Sequence, residues 1–303
     1  MRRRWSPRDL HPVVAGLRGD VRYAAPLSEF TSFRIGGPAD VLVQPADLDD
    51  LCRLVRQGRR ARVPLFVLGG TNVLVRDGGI AGVVMILARL DRAQEEPEAV
   101  VYGEAGIGMP RLMQFAARRG LSGLEWAAGI PGTLGGCVVM NAGTKLGDMS
   151  RAVKAVRMVS PAGRITDHPV SDLEFRYRRS RLPRGIVAGA WLQLASGSPE
   201  RITQSVKDYL RYRKETQPLT QPNAGCVFKN PGPQTAGGLI EQAGLKGCRV
   251  GDAEVSTKHA NFIVNRGQAK AADVTALIAK VKRTVKARTG LALDLELTVI
   301  GAR

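Results

Sequence analysis

The sequence predicts an α+β protein in two parts, with one or two strand-rich lobes before residue 196 and a smaller α+β domain after it. Three observations predict this. The 303 residues exceed the usual size of one hydrophobic core. Short apolar runs alternate with helix patterns through the first part. Past "SGSPE" (196–200) the character changes to helix followed by a stretch dense in proline and glycine.

Each element has a local reason. The start, "MRRRWSPRDLHP", is basic and lacks the apolar segment and cleavage site of a secretory signal, so residues 1–20 are expected to be a loose basic extension. "VLVQ" (41–44) reads as a strand, and Asp47 can cap a helix whose Leu48, Leu51, Leu54 and Val55 share one face. "PLFVLGG" (64–70) reads as a buried strand ending in glycines. A helix starts at Pro110, carries Leu112, Phe115 and Ala116 inward and stops at Gly120. Between 153 and 195, "AVRMVS" and "GIVAGAWLQLA" are strand-like and flank the arginine-rich "FRYRRSRL". Residues 199–214 look helical. The clearest helix is 273–289, with Val274, Leu277, Ile278, Val281 and Val285 in one stripe and Lys280, Lys282, Arg283 and Lys286 around the rest. The expected domains are therefore 21–196, with lobes at about 21–90 and 91–196, and 197–303.

Composition narrows the function classes. The net charge of +18 favours anionic partners, yet aromatics make up only 5%, basic residues are scattered and no nucleic-acid motif is present. Solvated basic faces of a soluble protein fit better than specific nucleic-acid binding, and holding several phosphate-bearing small molecules is the reading between them. The longest apolar run, "IAGVVMILA", falls short of the roughly 20 residues that a membrane span needs. Cys52, Cys137, Cys226 and Cys248 form no CxxC pair and no cluster with histidine, which suggests a reducing cytoplasm, no disulfide framework and no metal site.

Two glycine clusters stand out, "LGGTNVLV" (68–75) and "GIPGTLGGCVVMNAG" (129–143). Singly, each is ordinary turn chemistry. Together they offer many unobstructed backbone N–H groups, with Thr71, Asn72 and Asn141 as polar handles, as a pyrophosphate requires. Neither matches a P-loop, and "GEAGIGMPR" (103–111) has Arg111 where a dinucleotide fingerprint needs its third glycine. The phosphates would be held by loops of another fold.

"TSFRIGGPAD", "VLGGTNVLV", "GLEWAAGIPGTLGGCVVMNAG", "FRYRRS", "QPNAGCVFKNP", "AGGLIEQAGLKG", "STKHANFIVN" and "LDLELTVIG" occur in order from about residue 28 to 301. In this the chain resembles the UDP-N-acetylenolpyruvoylglucosamine reductase (MurB) family of peptidoglycan synthesis, in its compact subtype. The resemblance implies a vanillyl-alcohol-oxidase (PCMH) type fold, in which two lobes clasp FAD and a smaller C-terminal α+β domain supplies much of the substrate site. It implies that Gly69, Gly70, Thr71, Asn72 and Val73 hold the flavin together with Gly129, Ile130, Pro131, Gly132, Gly135, Gly136, Asn141 and Gly143 of the second loop. NADPH would be the hydride donor, and the enolpyruvyl ether of UDP-N-acetylglucosamine the acceptor, reduced to UDP-N-acetylmuramate. The protein would act as a cytoplasmic monomer.

By the same resemblance Arg178, Cys226 and Glu296 are the catalytic residues. Arg178 would stabilise charge developing on the substrate, since a guanidinium stays protonated; by composition alone, the run Arg176, Arg178, Arg179, Arg181 is a solvated loop. Cys226 stands where most of the family has a serine proton donor, and a thiol is the stronger acid; free cysteine is also an ordinary core residue. Glu296 would be a second electrostatic or proton-handling group, while strand alternation alone puts it with Asp294 on an exposed face. Lys229 and Asn230, just before a helix start, suit a uridine diphosphate. His259, by itself a satisfied core or surface histidine, gains a substrate role from its place in "STKHANF". A flavin oxidase of the same fold and a basic nucleic-acid-binding protein are the competing readings.

Overall fold

The computed structural model describes residues 4–302. The expected loose extension is corrected for most of its length. Ser6 caps a helix, α1 (Pro7–Val14), and exchanges hydrogen bonds with Asp9. Leu10 and Val13 have no exposed surface and face α2 (Leu48–Ala61). Arg4 pairs with the nearly buried Asp40 at 2.7 Å, so the first turn is tied down by charge as well as by apolar contact. Residues 1–3, which carry two of the leading arginines, lie outside the described residues.

The first lobe is a four-stranded sheet ordered Asp20–Tyr23, Ala39–Gln44, Ile80–Met85, Leu65–Val67, antiparallel at its first pair and parallel thereafter. Asp47 caps α2 as its sequence suggests, accepting from the Asp50 amide at 2.9 Å. The second lobe is an antiparallel five-stranded sheet ordered Ile165–Pro169, Val153–Val159, Ile186–Gln193, Val100–Glu104, Ala93–Glu96. Against it lies α4 (Leu134–Met140), and α3 (Met109–Ala117) reaches it through Leu112, beside Gly103.

Helix α4 corrects the expectation that 129–143 is all loop. Thr133 caps its start, Leu134 and Val138 are buried, and Gly135 lets it press on Ala105, where a Cβ would come within 2.8 Å of the alanine methyl.

Helix α5 (Pro199–Thr216) packs on the second lobe. Beyond it comes an antiparallel sheet ordered Asn223–Cys226, Phe262–Asn265, Ala253–Val255, Arg249–Val250, with α6 (Ala236–Gln242) and α7 (Ala271–Thr289). The predicted stripe of α7 is buried in a core shared with Phe33, Ile35 and Leu74 of the first lobe. Three further contacts join these parts. The Asp77 carboxylate takes the first two amides of α7, from Ala271 at 2.9 Å and Ala272 at 3.0 Å. Ser32 donates to the Asn223 carbonyl at 2.7 Å. Strand Thr298–Ile300 pairs in parallel with Val73–Val75. Among the described residues no helix is long and apolar enough to cross a membrane.

Candidate active site

The two glycine clusters meet. A Cβ on Gly132 would lie 3.3 Å from the Thr71 hydroxyl oxygen, so the 129–143 segment abuts the 69–72 turn. Gly70 has φ +77° and passes so near Phe30 that a Cβ would come within 2.4 Å of its carbonyl oxygen; only glycine fits there. Among the described residues the backbone N–H groups of Gly69, Gly70, Thr71 and Asn72 donate to no protein acceptor. Four successive unclaimed donors, running from the exposed Gly69 through the buried Gly70 to the half-buried Thr71 and Asn72, with open space beside Gly69, suit a phosphate-bearing cofactor.

The second cluster divides its labour. The α4 amides of Leu134 and Gly135 are taken by the carbonyls of Ile107 and Ala105, and that of Gly136 by the Thr133 hydroxyl. Gly143 is required by the tight hairpin at 147–148. Asn141 ends α4 at φ +45°; its amide donates to the Arg176 carbonyl at 3.1 Å and accepts from Ser150 at 3.0 Å. Ile130 is half-buried and Pro131 exposed, while Val73 opens the strand paired with Thr298.

Arg178, Cys226 and Glu296 converge from three distant segments. Hairpin strands Glu174–Arg176 and Arg179–Arg181 leave Tyr177 and Arg178 at the tip, and Ser180 and Asn141 moor the hairpin to α4. Arg178 has φ +55°, a left-handed conformation unfavourable for an arginine. Its Nε donates to Glu296 Oε1 at 2.9 Å, with only 18% and 11% of the two side chains exposed. Arg176 and Arg181 are 73% and 85% exposed, so the solvated-loop reading holds for them and fails for Arg178. The exposed-face reading of Glu296 fails likewise.

Segment 227–229 runs beside 294–297. Glu296 N–H bonds the Val227 carbonyl and Lys229 N–H the Asp294 carbonyl, both at 2.9 Å. Asn72 closes the circle, its side-chain amide donating to the Glu296 carbonyl at 3.0 Å and to Met140 Sδ at 3.1 Å. The first cluster, α4 and the Glu296 segment therefore meet at one side chain.

Burial pushes the Cys226 thiol up to about 12, and the Glu296 carboxylate adds to this while Arg178 and Arg213 oppose it. Burial also raises the Glu296 carboxyl against the pull of Arg178 and Lys229. The side chain of Asn230 accepts from the Ala236 amide at 2.9 Å, and its backbone meets the Tyr177 phenol. His259 is packed edge-on against Phe262, its Nδ1 accepting from the Asn261 amide at 3.2 Å. Burial holds its imidazole below the usual histidine range.

A model for the UDP-N-acetylenolpyruvoylglucosamine reductase C-terminal domain matches residues 217–300, and one described as an FAD binding domain matches 39–168, which contains both glycine clusters. The chain is 45% identical over 287 residues to UDP-N-acetylenolpyruvoylglucosamine reductase 2 of Symbiobacterium thermophilum, covering 93% of each. It is 44% identical to the Heliobacterium modesticaldum reductase, covering 95% of this chain and 93% of that one. This chain belongs to the UDP-N-acetylenolpyruvoylglucosamine reductase family. The crystal structure of the Thermus caldophilus reductase superposes with a TM-score of 0.81 at 40% identity, over 93% of this chain and 99% of that one. The glucose dehydrogenase Phl p 4.0202, at 15% identity and a TM-score of 0.50 over 63% of this chain and 44% of that one, shares the fold alone. The two-lobed FAD-binding fold of the vanillyl-alcohol-oxidase type is thus present, with the reductase C-terminal domain attached.

Two residues of this family member escaped the sequence reading. Asn261 is buried, brackets the backbone of Phe228 with bonds of 2.9 and 2.8 Å, and faces the Cys226 thiol. It sits in "STKHANF" two places after the histidine that drew attention. Arg213, on the last turn of α5, reaches the Ala128 carbonyl at 3.0 Å. Nothing in the sequence separates it from the other basic residues of that helix.

Proposed function

We propose that this chain catalyses the NADPH-dependent reduction of the enolpyruvyl ether of UDP-N-acetylglucosamine to UDP-N-acetylmuramate through FAD, with Cys226 as proton donor and Arg178 and Glu296 as its electrostatic partners. The observation carrying the residue roles is the meeting of thiol, guanidinium and carboxylate beside the glycine turns. FAD held by the 69–72 turn and the 129–143 segment would supply the hydride chemistry that links NADPH to the vinyl carbon of the substrate.

The chain's own groups do the rest. The amides of 69–72 bind the cofactor phosphates. Arg178, aimed by Glu296, faces the negative charge that develops on the substrate carbon and its carboxylate. The Cys226 S–H proton completes the lactyl ether, and the thiolate left behind, flanked by two guanidinium groups, regains its proton from solvent. A thiol pushed up to about 12 stays protonated at neutral pH, which a donor must. Lys229, Asn230 and His259 are the residues for the UDP-sugar, residues 21–196 the cofactor domain and 197–303 the substrate domain. The protein acts as a cytoplasmic monomer.

The test is spectroscopic. The purified protein is yellow, is bleached by NADPH without oxygen and regains its colour on addition of the UDP-enolpyruvyl sugar. Recovery with oxygen but not with the sugar would identify an oxidase instead. A colourless protein that takes up no FAD would defeat the proposal.

A further inference from the structure

Arg178 is ion-paired with Glu296 at 2.9 Å, and the site contains a second guanidinium that has no such partner among the described residues. Arg213 donates from Nη1 to the Ala128 carbonyl at 3.0 Å, and from Nε and Nη2 to Gln217 Oε1 at 3.1 and 2.9 Å. All three bonds end on neutral acceptors, and among the described residues Arg213 forms no ion pair. Its stem backs the second glycine turn, since a Cβ on Gly129 would lie 3.2 Å from the Arg213 Cδ. Its charge also acts on the Cys226 thiol, opposing the rise that burial imposes there. A partly desolvated cation without a counter-ion is costly, and it attracts negative charge strongly because little water screens it.

We propose that Arg213 is a further functional residue of the reaction: it supplies the uncompensated positive charge that stabilises the flavin's added negative charge, and so raises the potential of the bound cofactor. This rests on the reading that the 129–143 segment helps to hold FAD. The balance is simple. NADPH gives up a hydride, two electrons and one proton, and leaves as NADP+; a neutral isoalloxazine that takes the hydride becomes a monoanion. A fixed cation beside it favours that product. The neutrality of Gln217 matters, since a carboxylate there would cancel the effect.

The experiment measures the potential of purified holoprotein by equilibration with a reference dye under anaerobic reduction. In Arg213→Gln, the ratio of oxidised to reduced flavin at a given solution potential rises at least about tenfold, which is about 30 mV for a two-electron couple. Gln217→Ala removes the neutral acceptor, keeps the guanidinium and moves the ratio less than about threefold, within about 15 mV on the same scale. Arg213→Lys covers the case in which the glutamine variant fails to fold, and keeping its charge it also stays within about threefold. A wild-type potential in flavin-replete Arg213→Gln overturns the inference, as does an equal fall in the lysine variant, which would assign the effect to packing. Gly69→Val tests the reading beneath it. The valine finds open space in the protein itself, so the variant folds and loses flavin; full retention of flavin would remove the cofactor placement and the inference with it.

Discussion

The proposed proton donor, Cys226, makes the sharpest prediction. A free thiol at its reference pKa of about 8.5 is protonated in only about one molecule in eleven at a pH of about 9.5. In this protein burial and the Glu296 charge lift the Cys226 thiol to about 12, so more than about 99% keeps its proton at that pH. The rate at which the UDP-enolpyruvyl sugar reoxidises reduced flavin therefore has no basic limb between pH of about 7.5 and 9.5, where an unperturbed thiol would lose about tenfold. Cys226→Ala removes the donor. It slows this half-reaction by about 10²–10⁴, some 3–5.5 kcal/mol on the barrier, and leaves flavin reduction by NADPH intact. Anaerobic stopped-flow on flavin absorbance reads both halves separately. An unchanged reoxidation rate in Cys226→Ala, or a tenfold basic decline in the wild type, refutes the reasoning.

Three other substitutions test the surroundings. Arg178→Lys loses the Nε–H that meets Glu296 Oε1 and lowers kcat by about 10²–10³ in steady-state assays, since an ammonium cannot reproduce that geometry from the hairpin tip. Asp77→Ala leaves the Ala271 and Ala272 amides without their acceptor and costs about 1–2 kcal/mol, seen as a lower urea midpoint. The His259 imidazole is held below its usual range by burial; the unfolded chain then takes a proton at a pH of about 6.5 that the folded protein refuses. Stability is full above that pH and falls below it, and His259→Gln flattens the fall between pH of about 7.5 and 5.5 in urea titrations.

What was legible in the sequence had strong local causes. Asp47 before an apolar face, the stripe of α7 and the glycine clusters each carry their own signal. The proposed trio of Arg178, Cys226 and Glu296 comes from motif resemblance, because spacing alone leaves Arg178 in a solvated run and Glu296 on an outer face. Helix α4 was hidden by glycines that disfavour helix, which are tolerated here because Leu134 and Val138 are buried and Gly135 must press on Ala105. Helix α1 was masked by Pro12 and by its basic neighbours, although Ser6, Pro7 and Asp9 spell a helix start and Leu10 and Val13 an apolar face. Arg213 and Asn261 owe their places to contacts with residues 128 and 228. Such contacts exist only once the chain has folded.

The pairing of Thr298–Ile300 with Val73–Val75 has a consequence for biosynthesis. On a ribosome the carboxylate at 296 emerges after the glycine turns, the arginine hairpin and the thiol strand are already made. The turn at 69–72 thus takes its bracing from a strand more than two hundred residues further along, so a chain not yet paired there lacks both that carboxylate and the support of the turn.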